Sequence, residues 1–174
     1  MSHEIYPEEV AGPFEKPPRS VTDKDGREIA VETYDGEDVS DLVAMYTEFD
    51  PADRAQGIPP VREEGIREWL ENIVPKGYNV VARNEGDVIG HATLVPDGEE
   101  AYELAIFVLH DYQGAGIGSA LLTALLGEGA ARGVEKVWLT VERWNAAAIG
   151  LYHKVGFETS GSESFELEMS IRLN

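Results

Sequence analysis

The sequence predicts an α/β fold, a mixed and mostly antiparallel sheet flanked by helices. Three observations carry this. Short runs of branched and aromatic residues alternate with segments whose apolar residues recur at helical spacing. Asn84-Glu85-Gly86 separates two such runs as a hairpin-type turn. A glycine-rich turn, Gln113-Gly114-Ala115-Gly116-Ile117-Gly118, joins an apolar strand to an apolar helix.

Taken in order, residues 1–26 carry Pro7, Pro13, Pro17 and Pro18 among many charges, which suits an extended arm anchored by Tyr6 and Phe14. The folded domain is then 27–174. Residues 27–34 alternate as a strand, with Ile29 and Val31 on one side. Asp38 can cap a helix to about residue 48 whose inward stripe is Val39, Leu42, Val43 and Tyr46. Asp50-Pro51 breaks it, and a second helix, 62–74, turns Ile66, Trp69, Leu70 and Ile73 inward. Strands follow at 78–83, 87–95 and 101–109. The central helix starts within the glycines and stops at Gly133. A strand at 136–141 leads to Asn145, the cap of a helix ended by Gly156. The last strand, 164–173, turns Phe165, Leu167, Met169 and Ile171 inward.

Composition narrows the function. The chain has 174 residues, enough for one domain with a real core. No run of about 18 apolar residues occurs, and the N-terminus lacks the pattern of a signal peptide, so a cytoplasmic protein is expected. With no cysteine there is no disulfide or thiol chemistry, and His3, His91, His110 and His153 show no metal-ligand spacing. The net charge of -19 comes from 33 acidic and 14 basic residues spread along the chain. No basic stripe is available for nucleic acid. Such a surface resembles proteins of salt-loaded, halophilic cytoplasms, and it would equally attract a cationic substrate.

The glycine turn carries the chemistry. A turn of this kind entering a helix leaves free N–H groups around one point, where the helix dipole favours an anion. The P-loop needs a lysine after its last glycine, but Gly118 is followed by Ser119. The dinucleotide fingerprint counted from Gly114 needs a third glycine where Ser119 stands. The turn instead resembles the acyl-CoA-binding motif of the GCN5-related N-acetyltransferase (GNAT) superfamily, Q/R-x-x-G-x-G/A, with Gln113, Gly116 and Gly118 at its defined positions. Residues 141–157 are similar to the second cofactor segment of that family, N-x-x-A-x-x-L-Y-x-x-x-G-F. Asn145, Ala148, Leu151, Tyr152, Gly156 and Phe157 match it.

The resemblance implies the GNAT fold over 27–173, and acetyl-CoA as co-substrate without a metal. It also implies transfer to a primary amine by direct attack in a ternary complex. Cofactor contacts are then expected at Gln113, Gly114, Ala115, Gly116, Ile117, Gly118, Ser119, Asn145 and Tyr152. Backbone atoms of Phe107 and Val108 are expected to join them where two central strands splay. It makes Tyr152 the proton donor to the leaving thiolate, against a bland reading as a core aromatic, with Asn145 a mere cap. Val108 lies near the oxyanion site. Glu103, with Ala105 and Phe107 on one side of its strand, is the expected base, partly buried; His91 is a second candidate. The acceptor is a protein lysine or N-terminus, or a small amine. Residues 49–54 faintly resemble a loop of Pat-type lysine acetyltransferases. Partners are therefore acetyl-CoA and an amine, with no membrane or nucleic acid, and the protein is a monomer or homodimer. A non-catalytic acyl-CoA sensor or an interaction module on the same fold is the alternative.

Overall fold

The computed structural model describes residues 6–35, 38–49, 60, 62–162 and 165–174. They form eight strands and four helices: β1 (Arg19–Thr22), β2 (Glu28–Thr33), α1 (Ser40–Thr47), α2 (Glu63–Ile73), β3 (Tyr78–Asn84), β4 (Asp87–Pro96), β5 (Tyr102–Val108), α3 (Ile117–Ala131), β6 (Lys136–Glu142), α4 (Ala146–Val155), β7 (Glu158–Ser162) and β8 (Glu166–Arg172). A 3-10 turn, His110–Tyr112, lies between β5 and the glycines. The strands make one mixed sheet in the order β1-β2-β3-β4-β5-β6-β8-β7.

Every neighbouring pair is antiparallel except β5 and β6. That parallel pair matters most for the site. It is joined only at Tyr102↔Val137 and Glu103↔Trp138, although both strands run on for several residues. The closed end is clasped from the β4–β5 turn. Asp97 Oδ2 accepts a 2.8 Å hydrogen bond from Trp138 Nε1, and its Oδ1 accepts from the Glu99 and Ala101 amides. Beyond that clasp the strands separate and leave a wedge between them.

Strand alternation sorts the apolar residues onto two faces. Val80, Ala92, Leu94 and Leu139 pack against Leu121, Leu122 and Leu125 of α3, while Val81 and Phe107 pack against α1 and α2. Each wholly buried leucine contributes about 2 kcal/mol. Helix α3 is apolar nearly all round because it is covered twice. The sheet lies on one side, and the backbone of Phe14 and Glu15 crosses the other. A Cβ on Gly127 would come within 2.7 Å of the Glu15 carbonyl oxygen, so only glycine admits the crossing. Phe14 packs on the same core.

Some sequence expectations change. Residues 19–22, read within the arm, are β1 and pair with β2. Residues 158–162 are an additional edge strand. Phe165, expected inward, is 82% exposed because β8 begins one residue later. Glu85 and Gly86 both have positive φ, the turn geometry that matches the twist of a two-residue hairpin. No helix among the described residues is long and apolar enough to cross a membrane.

Candidate functional site

The sequence Gln113–Gly118 folds as a turn projecting from the end of β5 into α3. Gly114 and Gly116 have φ of +70° and +92°, where a side chain is strained. Gly116 is the N-cap of α3 and offers no side-chain acceptor, so the first amides of the helix are left for an outside partner. Gly118 is the more telling residue. It lies within the helix, its φ is not positive, and a Cβ there would meet nothing within 4 Å. A glycine costs a helix about 1 kcal/mol relative to alanine, and no contact among the described residues requires it. Open space at this position, in the first turn of a helix whose N-cap offers no side-chain acceptor, suits an incoming phosphate group.

The wedge continues from this turn. Leu109 N–H donates to Ile89 O at 3.0 Å. In an unbroken antiparallel ladder the odd positions of β5 therefore face β4, while Ile106 and Val108 turn their backbone groups toward the wedge. The Gln113 side chain confirms that direction by donating to Val108 O at 3.0 Å. Phe107, named from the sequence as a backbone contact, instead faces β4 with its main chain. Its ring sits in the aromatic cluster with Tyr46 and Trp69. Ile106 faces the wedge in its place, a position that only the phase of the ladder reveals.

Helix α4 supplies the second motif. Asn145 Oδ1 accepts from the Ala148 amide at 3.2 Å, so it caps the helix. Tyr152 packs half-buried on the α3 core, its ring 5.6 Å from that of Phe157. Burial pushes its hydroxyl pKa up to about 12, which keeps the proton in place at any physiological pH. Ser119 is half-buried in the first turn of α3.

Glu103 is exposed rather than partly buried. It sits at the closed end of the wedge, in register with Trp138, on the α1–α2 side of the sheet. From there to Val108 the strand runs about 17 Å. His91 is fully buried and both its nitrogens are used. Asn79 Nδ2 donates to Val74 O, so its Oδ1 accepts from His91 Nε2 at 2.8 Å. His91 Nδ1 then accepts from the Tyr46 hydroxyl at 2.7 Å. This chain ties α1 and α2 to the sheet and leaves His91 no proton-transfer role.

Burial drops the His91 pKa to about 3, below the 6.5 of an unfolded chain. The unfolded state then takes up the proton first, so this contribution is complete above pH 6.5 and is lost as pH falls toward 3. The loss is about 1.4 kcal/mol per pH unit. Urea midpoints of the wild type should fall from pH 7 to pH 5 more steeply than those of His91→Gln. Parallel slopes would contradict the assignment.

A cavity of about 630 Å³ lies between α1, the β3–β4 turn and residues 109–112. Asp41, Glu48, Asp87 and Asp111 line it, so it is unsuited to phosphate. Of the loop 49–54 compared with Pat-type enzymes, residues 50–54 lie outside the described residues.

The sequence pattern of the Acetyltransferase (GNAT) family matches residues 41–157. The chain belongs to this family. Its GNAT fold is similar to the GNAT domain of S. lividans PAT, with a TM-score of 0.72 at 20% identity, covering 91% of this chain and 100% of that one. Among curated proteins it is similar to the L-methionine sulfoximine/L-methionine sulfone acetyltransferase of Pseudomonas aeruginosa, 30% identical over 59% of this chain and 63% of that protein. It is also similar to the ribosomal protein bS18-alanine N-acetyltransferase of Escherichia coli, 49% identical over 34% of this chain and 40% of that one. Each match thus spans less than two thirds of the curated relative. The first of these two enzymes is named for L-methionine sulfoximine and L-methionine sulfone and the second for a ribosomal protein alanine.

Proposed function

We propose that the protein transfers the acetyl group of acetyl-CoA to a primary amine in a ternary complex. The observation that carries this is the open, uncapped N-terminus of α3 at Gly116 and Gly118, opening onto the wedge between β5 and β6. Amides at 116–119 hold the phosphates. Ile106 and Val108 offer backbone groups to the pantetheine arm as a neighbouring strand would. An arm entering from the glycine turn carries its thioester toward the closed end, where Glu103 stands.

The amine nitrogen attacks the thioester carbon, the C–S bond breaks, and the amine's proton ends on solvent or base while the thiolate leaves as the thiol. Glu103 takes the proton, directly or through water, since the amine must be neutral to attack. A wedge-facing N–H of β5 stabilises the carbonyl oxygen as charge develops. The Tyr152 hydroxyl, fully protonated, donates to the leaving sulfur.

The acceptors named for the two curated relatives are a free amino acid analogue and a protein alanine, which supports an α-amine acceptor over a lysine side chain of the Pat type. The charge of -19 supports a salt-rich cytoplasm. The test is release of free CoA thiol from acetyl-CoA in molar KCl with three amines: a peptide starting with alanine, methionine sulfone, and an internal-lysine peptide. Enzyme-dependent release with either α-amine supports the reading, and release with the lysine peptide alone replaces it by the Pat-type one. Tight acetyl-CoA binding with no release from any amine would favour the sensor alternative. Activity and thermal stability should both fall when KCl is diluted; indifference to salt contradicts the halophilic part.

A further inference from the structure

The cofactor turn Gln113–Ser119 contains no lysine or arginine, an odd feature for residues that meet a polyphosphate in a chain of net charge -19. The charge must come from elsewhere in the fold. The β1–β2 turn lies against the glycine turn, joined by two backbone acceptors. Lys24 N–H donates to Ala115 O at 3.2 Å, one residue before the N-cap of α3. Arg27 Nη2 donates to Asp111 O at 3.3 Å, and its guanidinium stacks 4.0 Å over the Tyr112 ring.

The turn is built rigidly. Asp23, with its side chain wholly buried, accepts from the amides of Asp25 and Arg27 at 3.0 and 2.8 Å and pairs with Arg27 Nε at 2.7 Å. Its nearby cations are not equivalent. Arg27 is matched by Asp23 and Asp25, and Arg19 is held by Thr123 and Glu15. Lys24 is exposed and has no carboxylate partner among the described residues. Its ammonium rides on a flexible stem anchored beside the turn it would serve.

Resting on the acetyl-CoA reading above, we propose that Lys24 is the phosphate-binding cation of the cofactor site, delivered by the β1–β2 turn and steadied there by Asp23 and Arg27. It supplies the charge that the glycine turn lacks. The ligand chemistry is a phosphate ester or anhydride, and CoA carries both a pyrophosphate and a ribose 3′-phosphate.

Calorimetric titration of CoA and of dephospho-CoA into Lys24→Gln, Lys24→Arg and Lys76→Gln tests this. Lys76→Gln makes the same charge change on a residue bonded to Asn72, in the α2–β3 connection. Any non-proline residue at 24 keeps the amide that bonds Ala115, so the fold is retained. Lys24→Gln should bind CoA about tenfold more weakly, with a shallower dependence on KCl, while Lys24→Arg and Lys76→Gln stay within about twofold of wild type. A deficit that persists with dephospho-CoA places Lys24 on the pyrophosphate; one that vanishes places it on the 3′-phosphate. Equal CoA affinity of Lys24→Gln and wild type, or an equal loss in Lys76→Gln, overturns the proposal. A folded wild type that binds no CoA overturns the function reading instead.

Discussion

Gly118→Glu should leave the protein folded and slightly more heat-stable while weakening acetyl-CoA binding by about 100-fold or more. The two effects have opposite signs for separable reasons. Position 118 has helical backbone and open space where a Cβ would stand, so the new side chain meets no clash. Replacing glycine in a helix gains up to about 1 kcal/mol, and a carboxylate in the first turn of α3, which now has no acid, gains a few tenths more from the dipole. The same carboxylate then occupies the anion site and repels phosphate. Thermal melts and calorimetry on one preparation check both halves. Intact binding would mean that the phosphates lie elsewhere, and a collapsed melt would mean that Gly118 is structural.

Tyr152→Phe removes a single oxygen and keeps the ring that packs against Phe157. The expected result is a fall of about 100-fold in kcat, with KM for acetyl-CoA within about twofold of wild type. That split follows if the hydroxyl acts on the leaving sulfur and adds little to ground-state binding. The wild-type rate should not fall as pH rises through 10, where an ordinary tyrosine would ionise, because burial holds this hydroxyl near 12. An unchanged kcat would return Tyr152 to the core and leave protonation of the thiolate to solvent.

Much of this is legible in the sequence. The glycines, the Asn145 cap and the Gly156 stop are local instructions, written in residue types whose backbone or side chain decides the conformation. They appear where the spacing put them. What stayed hidden depends on partners far along the chain. β1 and β7 are short and polar, and they form because β2 and β8 present them a ladder. The phase of β5, which turns Ile106 and Val108 toward the wedge and Phe107 away, follows from its pairing with β4. Strand alternation sets Glu103 on one face with Phe107, yet its position at the clasp depends on Asp97 reaching Trp138, 41 residues later. Lys24 carried no motif at all. Only the fold sets the β1–β2 turn against the glycines.

The central claim is that the glycine turn and the wedge together hold acetyl-CoA. Calorimetric titration of acetyl-CoA into the wild type in molar KCl tests it most directly. Micromolar binding at one site, about -8 kcal/mol, abolished in Gly118→Glu, is the predicted result. A protein that melts cooperatively and takes up no acetyl-CoA would contradict the account and leave the fold as a scaffold for another purpose.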